Sequence, residues 1–235
     1  MTSTDTLDPL SLVELHIQTL FTFTEEGDLL TTNDPFPPTR LPSKQFHLGW
    51  CESGTAHRFR HDVPTDIRDQ FETLLDRTDH EAILTTPVLT ELERLFDAPD
   101  GKVGTGPAYT TEAAVEAAEG ATRITRENES LLPDDFLADG EIEAVDPFYA
   151  VVEDGKAVST CHTVRRAEGA IEAGVDTVEG YRGRGYAVQV TRAWVNKTLS
   201  LGLRPFYSTW SENTASQRVA EKVGLTKIAT EIGVR

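Results

Sequence analysis

Apolar residues recur at helical spacing near the start of the chain. Leu10, Val13, Ile17 and Leu20 share one face and predict a helix. The next segment, FTFTEEGDLLTTNDPFPP, has two short apolar runs around Glu26–Gly27 and a Pro-rich end, which reads as strand, turn, strand and loop. Residues 46–50 and 56–63 read as further strands. VPTDIRDQFETLLDRT opens on Pro and an acidic turn, then aligns Ile67, Phe71, Leu74 and Leu75, predicting a helix over Pro64–Arg77. A second helix is predicted over Pro87–Phe96. DAPDGKVGTGPAYT reads as a loop. A helix over Thr111–Glu119, a strand over Thr122–Arg126 and a short helix near Pro133–Leu137 complete the first part. No internal repeat is evident.

From Phe148 the rhythm changes. FYAVVEDG, KAVSTCHTVRRA and GAIEAGVDTV alternate as three successive strands, with Asp154–Gly155 as a hairpin turn. A glycine-rich turn, EGYRGRGYA, leads into a long helix over Ala187–Leu201, with Val190, Ala193, Trp194 and Leu201 on one broad face and Gly202 at its stop. RPFYSTW is a strand. Asn213 precedes a helix, TASQRVAEKV, ended by Gly224, and a last strand runs over Lys227–Val234.

Composition narrows the function. The chain has 235 residues, 38% of them hydrophobic, and no run nears the roughly 20 apolar residues of a membrane span. MTSTDTLDPL lacks a basic region and an apolar core, which argues against a secretion signal and for the cytoplasm. The formal net charge of −17 repels phosphate backbones, so nucleic acid is not the expected partner. Acidity dispersed along a chain with only six lysines also suits a protein working in high salt. Cys51 and Cys161 stand far apart and read as free buried thiols, and no metal-ligand spacing is present among the histidines.

The strongest chemical signal is AIEAGVDTVEGYRGRGYAVQVTRAWV. A strand enters a turn holding Gly183 and Gly185, and the turn enters a helix at once. Helix N-termini present unpartnered N–H groups and partial positive charge. Glycines let the main chain curl close to an anion such as a diphosphate. Arg182 and Arg184 add positive charge to an acidic chain. A tight turn that needs glycine only for geometry is the plainer explanation of the pair. The spacing is shorter than that of a dinucleotide-binding GxGxxG. GKVGTG, residues 101–106, does not fit a phosphate loop, because its Lys sits too early and no helix follows.

Arg182-Gly183-Arg184-Gly185-Tyr186-Ala187 resembles the acetyl-CoA loop of the GNAT N-acetyltransferase superfamily, Arg/Gln-x-x-Gly-x-Gly/Ala. FYSTWSENTASQRVAEKVGL supplies that family's second element, a strand, an Asn and a helix ending in Gly. YRGRGYA followed by YSTWSENTAS is most similar to the FR47-like branch. The resemblance covers residues 145–230. It implies a mixed α/β (α+β) fold, with a GNAT-like mixed central sheet flanked by helices and an acyl-CoA-binding domain over residues 146–235. Residues 1–145 form an α/β region of unassigned role, with a degenerate copy of the fold or an unrelated helical part both open.

The resemblance further implies that strand Gly169–Val178 splays from strand Arg204–Trp210, with the pantetheine arm of acetyl-CoA, or another acyl-CoA, between them. Val178 would contact that arm. The N–H groups of Gly183, Arg184, Gly185, Tyr186 and Ala187 would hold the diphosphate, and Asn213 and Ser216 would lie against the cofactor. Glu172 would serve as general base toward a primary amine, with Asp176 in reserve; strand alternation puts Glu172, Gly174 and Asp176 on one face. A structural strand carboxylate is the alternative for Glu172. Ala220 stands where many relatives place a Tyr acid. Tyr207 and Ser208 are substitutes, although packing or strand hydrogen bonding also explains each. A thiol titrating near pH 8–9 leaves without much help. The acceptor is then the amine of a small molecule or a peptide. The second reading is a non-catalytic acyl-CoA-binding module with a regulatory or scaffolding role. A homodimer stays open.

Overall fold

The computed structural model describes residues 7–35, 41–98, 103–133, 136 and 141–234. The first helix, α1, spans Pro9–Leu20, with the Asp8 carboxylate accepting the N–H groups of Leu10 and Ser11 and Pro9 in the first turn. A small hairpin follows, β1 (Phe21–Phe23) and β2 (Leu29–Thr32). Then come β3 (Phe46–Cys51), β4 (Gly54–Phe59), α2 (Thr65–Asp76), α3 (Thr86–Leu95), β5 (Val103–Thr110) and β6 (Thr122–Arg123). The last part holds β7 (Phe148–Glu153), β8 (Lys156–Ala167), β9 (Ala170–Thr177), α4 (Tyr186–Ser200), β10 (Arg204–Ser208), α5 (Thr214–Val223) and β11 (Thr226–Val234).

Nine of these strands make one mixed sheet in the order β4-β3-β11-β5-β10-β9-β8-β7-β6. All neighbours pair antiparallel except β10 with β9, which run parallel. The two sequence regions share this sheet: β5, from the first, lies between β10 and β11, from the second.

Alternation divides the sheet into two faces. On one, α1 packs through Val13 and Ile17 against Cys51, Ala56, Ala108 and Ala229. On the other, α4 and α5 bury Val190, Trp194, Ala220 and Val223 against Ile171, Tyr109 and Tyr207. Further along that second face, α2 and α3 cover Phe46, Leu48, Ile232 and Val234.

Five expectations change. DAPDGKVGTGPAYT is not all loop, because β5 occupies its second half at the middle of the sheet. Its glycines serve close approach: a Cβ on Gly104 would run into the Trp210 ring, and one on Gly106 into the Thr209 carbonyl. Thr111–Glu119 forms no helix. The Asn196 side chain accepts the Val115 N–H at 2.9 Å and donates to the Val115 carbonyl at 3.1 Å, so α4 holds this segment from the side and overrides its Ala/Glu propensity. Strand β6 stops at Arg123, short of Arg126, and the expected 56–63 strand runs instead over Gly54–Phe59. Leu201 leaves the buried face of α4 and is exposed at its C-terminus. The helix expected near Pro133–Leu137 falls largely on residues 134, 135 and 137, outside the described residues. Both cysteines are free and buried. Among the described residues, no helix is long and apolar enough to cross a membrane.

Candidate active site

Strands β9 and β10 pair only at their starts, Arg204 with Ala170, Pro205 with Ile171 and Phe206 with Glu172. Beyond that point β9 continues to Thr177 and β10 to Ser208 without pairing. Glu172 sits at the fork. Its Oε1 accepts the Ser208 N–H at 2.7 Å and the Ser208 hydroxyl at 2.7 Å. A side-chain carboxylate thus takes the N–H that a continued ladder would have used.

The fork opens on the α4 face into a cavity of about 520 Å³, bordered by Val175, Asp176, Thr177, Tyr207, the glycine turn and α5. Gly183 (φ 78°) and Gly185 (φ 84°) both lie in the left-handed region, which is why this turn takes glycine. A Cβ at either would meet nothing within 4 Å, so open space lies over the turn. Among the described residues, none accepts a hydrogen bond from the N–H groups of Gly183, Arg184, Gly185, Tyr186 or Ala187. These amides head the 15-residue α4, an anion-binding arrangement.

Other expected residues take defined places. Arg182 donates to the Thr177 carbonyl at 3.2 Å, and Arg184 to the Gly180 carbonyl at 3.1 Å while stacking on the Tyr181 ring. Both arginines therefore brace the turn. The Tyr186 hydroxyl donates to Glu153 at 2.6 Å. Asn213 caps α5, accepting the Ser216 N–H at 3.1 Å, and borders the cavity with Ser216. Ser216 Oγ lies 2.7 Å from the Tyr207 hydroxyl, whose pKa burial pushes up to about 12, against the Ser216 hydrogen bond. Val178 does not face the cavity. Its N–H donates to Val158 and its carbonyl accepts from Tyr181, so both main-chain groups are taken. Strand alternation turns Val175 and Thr177 toward the gap in its place. Asp176 is exposed and borders this cavity. Sequence reading passed over Arg218 and Lys222, which also border it. Their spacing of four on α5 was the available signal.

Behind the fork lies a buried cluster from four elements. His16 of α1 sets Nε2 3.0 Å from Glu172 Oε2. Its Nδ1 is 2.7 Å from Glu231 Oε1, an ion pair rather than a well-directed hydrogen bond. His47 Nε2 stands 3.4 Å from the same oxygen. Burial alone would lower the His16 pKa, but Glu231 and then Glu172 outweigh it and raise it to about 10. Burial works to raise Glu231, yet His16 above all, with the His47 ring beside it, holds it well below the usual carboxylate range. Burial keeps His47 lowered and neutral despite Glu231. In the sequence His16 and His47 stand as two of six scattered histidines, and nothing singles out Glu231.

On the α1 face, a second cavity of about 240 Å³ is bordered by Ser208, Thr209, Trp210, Glu231 and Lys44. Tyr207 borders the first cavity and its neighbour Ser208 the second, so β10 is the partition between them.

Residues 148–230 match the model of the family described as GNAT acetyltransferase. Over these residues the chain is similar to the GNAT acetyltransferase family. Three GNAT structures are similar to the chain. One, a GNAT-family structure from Novosphingobium aromaticivorans, is 22% identical, with a TM-score of 0.41, over 57% of this chain and 66% of that one. The chain thus spans just under two thirds of that relative. A GCN5-related N-acetyltransferase-like protein from Streptococcus suis is 18% identical, with a TM-score of 0.49, over 83% and 85% of the two chains. A GNAT-family acetyltransferase from Colwellia psychrerythraea is 14% identical, with a TM-score of 0.48, over 100% and 99%. Similarity at this level says nothing about substrate. No curated protein matches the chain. The family match over residues 148–230 points to acyl transfer as the class of chemistry.

Proposed function

We propose that the chain is an acyl-CoA-dependent N-acyltransferase, of the FR47-like branch, acting on the primary amine of a small molecule. The observation that carries the reading is the fork beyond Glu172 and Phe206, opening directly beside five unpartnered amides. Those amides fit a diphosphate, and the Val175 and Thr177 main chain fits an amide-bearing arm. Arg218 and Lys222 supply positive charge at the cavity wall. Acetyl-CoA, when bound, supplies a thioester carbonyl open to nucleophilic attack.

An acceptor arriving as an ammonium carries three protons on nitrogen. The amide product keeps one, the departing thiol takes one and water receives the third. Glu172 is the residue that removes a proton, and it acts through a hydroxyl. It is 3% exposed and borders neither cavity, whereas Ser208 borders the second one and its hydroxyl donates to Glu172 Oε1. Ser208 passes its own proton to Glu172 as it receives one from nitrogen. Asp176, on the first cavity, is the reserve. Ala220 is fully buried and supplies no acid, and Tyr207 borders the cofactor cavity with a hydroxyl on the neighbouring strand.

Calorimetric titration with CoA, followed by thiol release from acetyl-CoA over an amine panel, tests the reading. Binding with release supports the enzyme. Binding without release for every amine supports the non-catalytic acyl-CoA module, and absent binding overturns both.

A further inference from the structure

Glu172 is held on both of its oxygens. Oε1 accepts the N–H and the hydroxyl of Ser208, and Oε2 faces His16 Nε2 at 3.0 Å. His16 lies on α1 and is 1% exposed. Its ring is fixed from two further sides. The Phe206 ring of β10 lies 4.6 Å away, centroid to centroid, and Glu231 Oε1 of β11 stands 2.7 Å from Nδ1. Glu231 in turn meets His47 Nε2 of β3 at 3.4 Å. Burial keeps that second ring neutral, helped by Lys44 and His16 and opposed by Glu231. Neither His16 nor Glu231 falls within residues 148–230, the stretch that carries the family match. Helix α1 and the last strand bring them to the fork from the two ends of the chain.

A carboxylate turned away from Ser208 cannot take its proton, and a misplacement of about 1 Å can cost about 10²-fold in rate. His16 sits where it prevents that turn. Glu231 and then Glu172 outweigh burial and keep the His16 ring charged at neutral pH. A ring protonated on both nitrogens has no lone pair for a further proton. His16 therefore does not relay the proton that Glu172 takes, which returns through Ser208 to water. We propose that His16 is a positioning residue for acyl transfer: it fixes the Glu172 carboxylate against Ser208, and Glu231 fixes His16. The inference rests on the acyltransferase reading above, with Glu172 as its base. A residue that acts through another loses its effect once that other is gone, whereas one that only supports the fold costs the same with or without it.

The test is a double-mutant cycle on the full chain, read as thiol release from acetyl-CoA with benzylamine, spermidine and glycinamide. His16→Leu should lower kcat about 10- to 100-fold and leave KM for acetyl-CoA and the Kd of CoA within about threefold. His16→Gln, which keeps an N–H for Glu172, should recover about threefold or more of that loss. Added to Glu172→Gln, His16→Leu should change kcat by less than about twofold. An equal loss in both backgrounds, or a loss confined to KM, would overturn the proposal. If His16→Leu does not fold, Glu231→Gln enters the same cycle, with an expected loss of about three- to tenfold that likewise vanishes beside Glu172→Gln. The parent protein supplies an independent measurement. Nitrogen NMR of its six histidines at pH 8 should show one ring protonated on both nitrogens, with its Nε2–H resonance displaced in Glu172→Gln. The lack of such a ring would also overturn the proposal. Undiminished turnover in Glu172→Gln would sink this inference and leave the acyltransferase reading standing. Absent CoA binding, or CoA binding without turnover of any amine, would remove both.

Discussion

The carboxylate of Glu172 receives the main-chain N–H of Ser208 at 2.7 Å, at the last point where β9 and β10 are paired. The same oxygen accepts the Ser208 hydroxyl, so one side chain holds both polar groups of Ser208 at the fork. Glu172→Gln keeps an acceptor for the Ser208 N–H and loses the base. Thiol release at saturating acetyl-CoA should fall about 10²–10⁴-fold, with CoA affinity by calorimetry changed less than about threefold. An unchanged turnover would move the base to Asp176, whose Asn variant is the companion measurement.

The glycine turn separates geometry from ligand binding. Gly185→Ala places a Cβ on a residue at φ 84°, which costs about 1–2 kcal/mol of strain. CoA affinity should drop by about tenfold or more, while far-ultraviolet dichroism stays the same. Affinity equal to the parent protein's would show that the amides of this turn do not hold the cofactor.

Arg218 and Lys222 border the first cavity without belonging to the family's loop. Alanine at either should weaken CoA by about three- to tenfold and flatten the dependence of its Kd on salt. Identical salt slopes in parent and variants would place both cations outside the binding field.

Tyr207 is a poor donor to a departing thiolate. Its pKa, pushed up to about 12 by burial, lies about three units above that of an ordinary thiol, so the transfer runs uphill. Tyr207→Phe should therefore reduce kcat by less than about tenfold, read as thiol release between pH 7 and 9. A larger fall, with CoA binding intact, would make Tyr207 the acid that Ala220 is not.

His16 links stability to pH. Its folded-state pKa near 10 exceeds the ordinary 6.5, so its contribution is full below 6.5 and lost as pH rises toward 10. Glu231, held low, contributes above the ordinary carboxylate range and loses its contribution under acid conditions. The melting temperature should decline from pH 7 to 10, and His16→Gln should flatten that decline while costing about 3–5 kcal/mol near neutrality, since two buried carboxylates lose their shared cation. Parallel pH–stability curves for parent and variant would contradict the charge assignment.

The glycine turn, α4, α5 and the three strands before them were legible because their signals are local: positive-φ glycines, a helix start at Tyr186 and alternation along β8 and β9. The cluster of His16, Glu172, Ser208 and Glu231 was not, since only strand order brings residues more than two hundred positions apart together. β5 was hidden by Gly104, Gly106 and Pro107, which break strand propensity to admit Trp210 and the chain before it. Thr111–Glu119 failed in the opposite direction, its helix-forming residues being outbid by two hydrogen bonds from Asn196. On β9 the cavity is bordered by Val175, Asp176 and Thr177, and Val178 follows the last residue of that strand.

The threading of β5 between β10 and β11 has a consequence for anyone cutting the chain. A fragment beginning at residue 146 would bare the flank of β10, both flanks of β11 and the short β6-facing flank of β7, four rows of unanswered amides and carbonyls that invite self-association. The stretch that carries the family's signature is therefore the piece least able to be prepared alone, and its solubility depends on a strand drawn from well outside it.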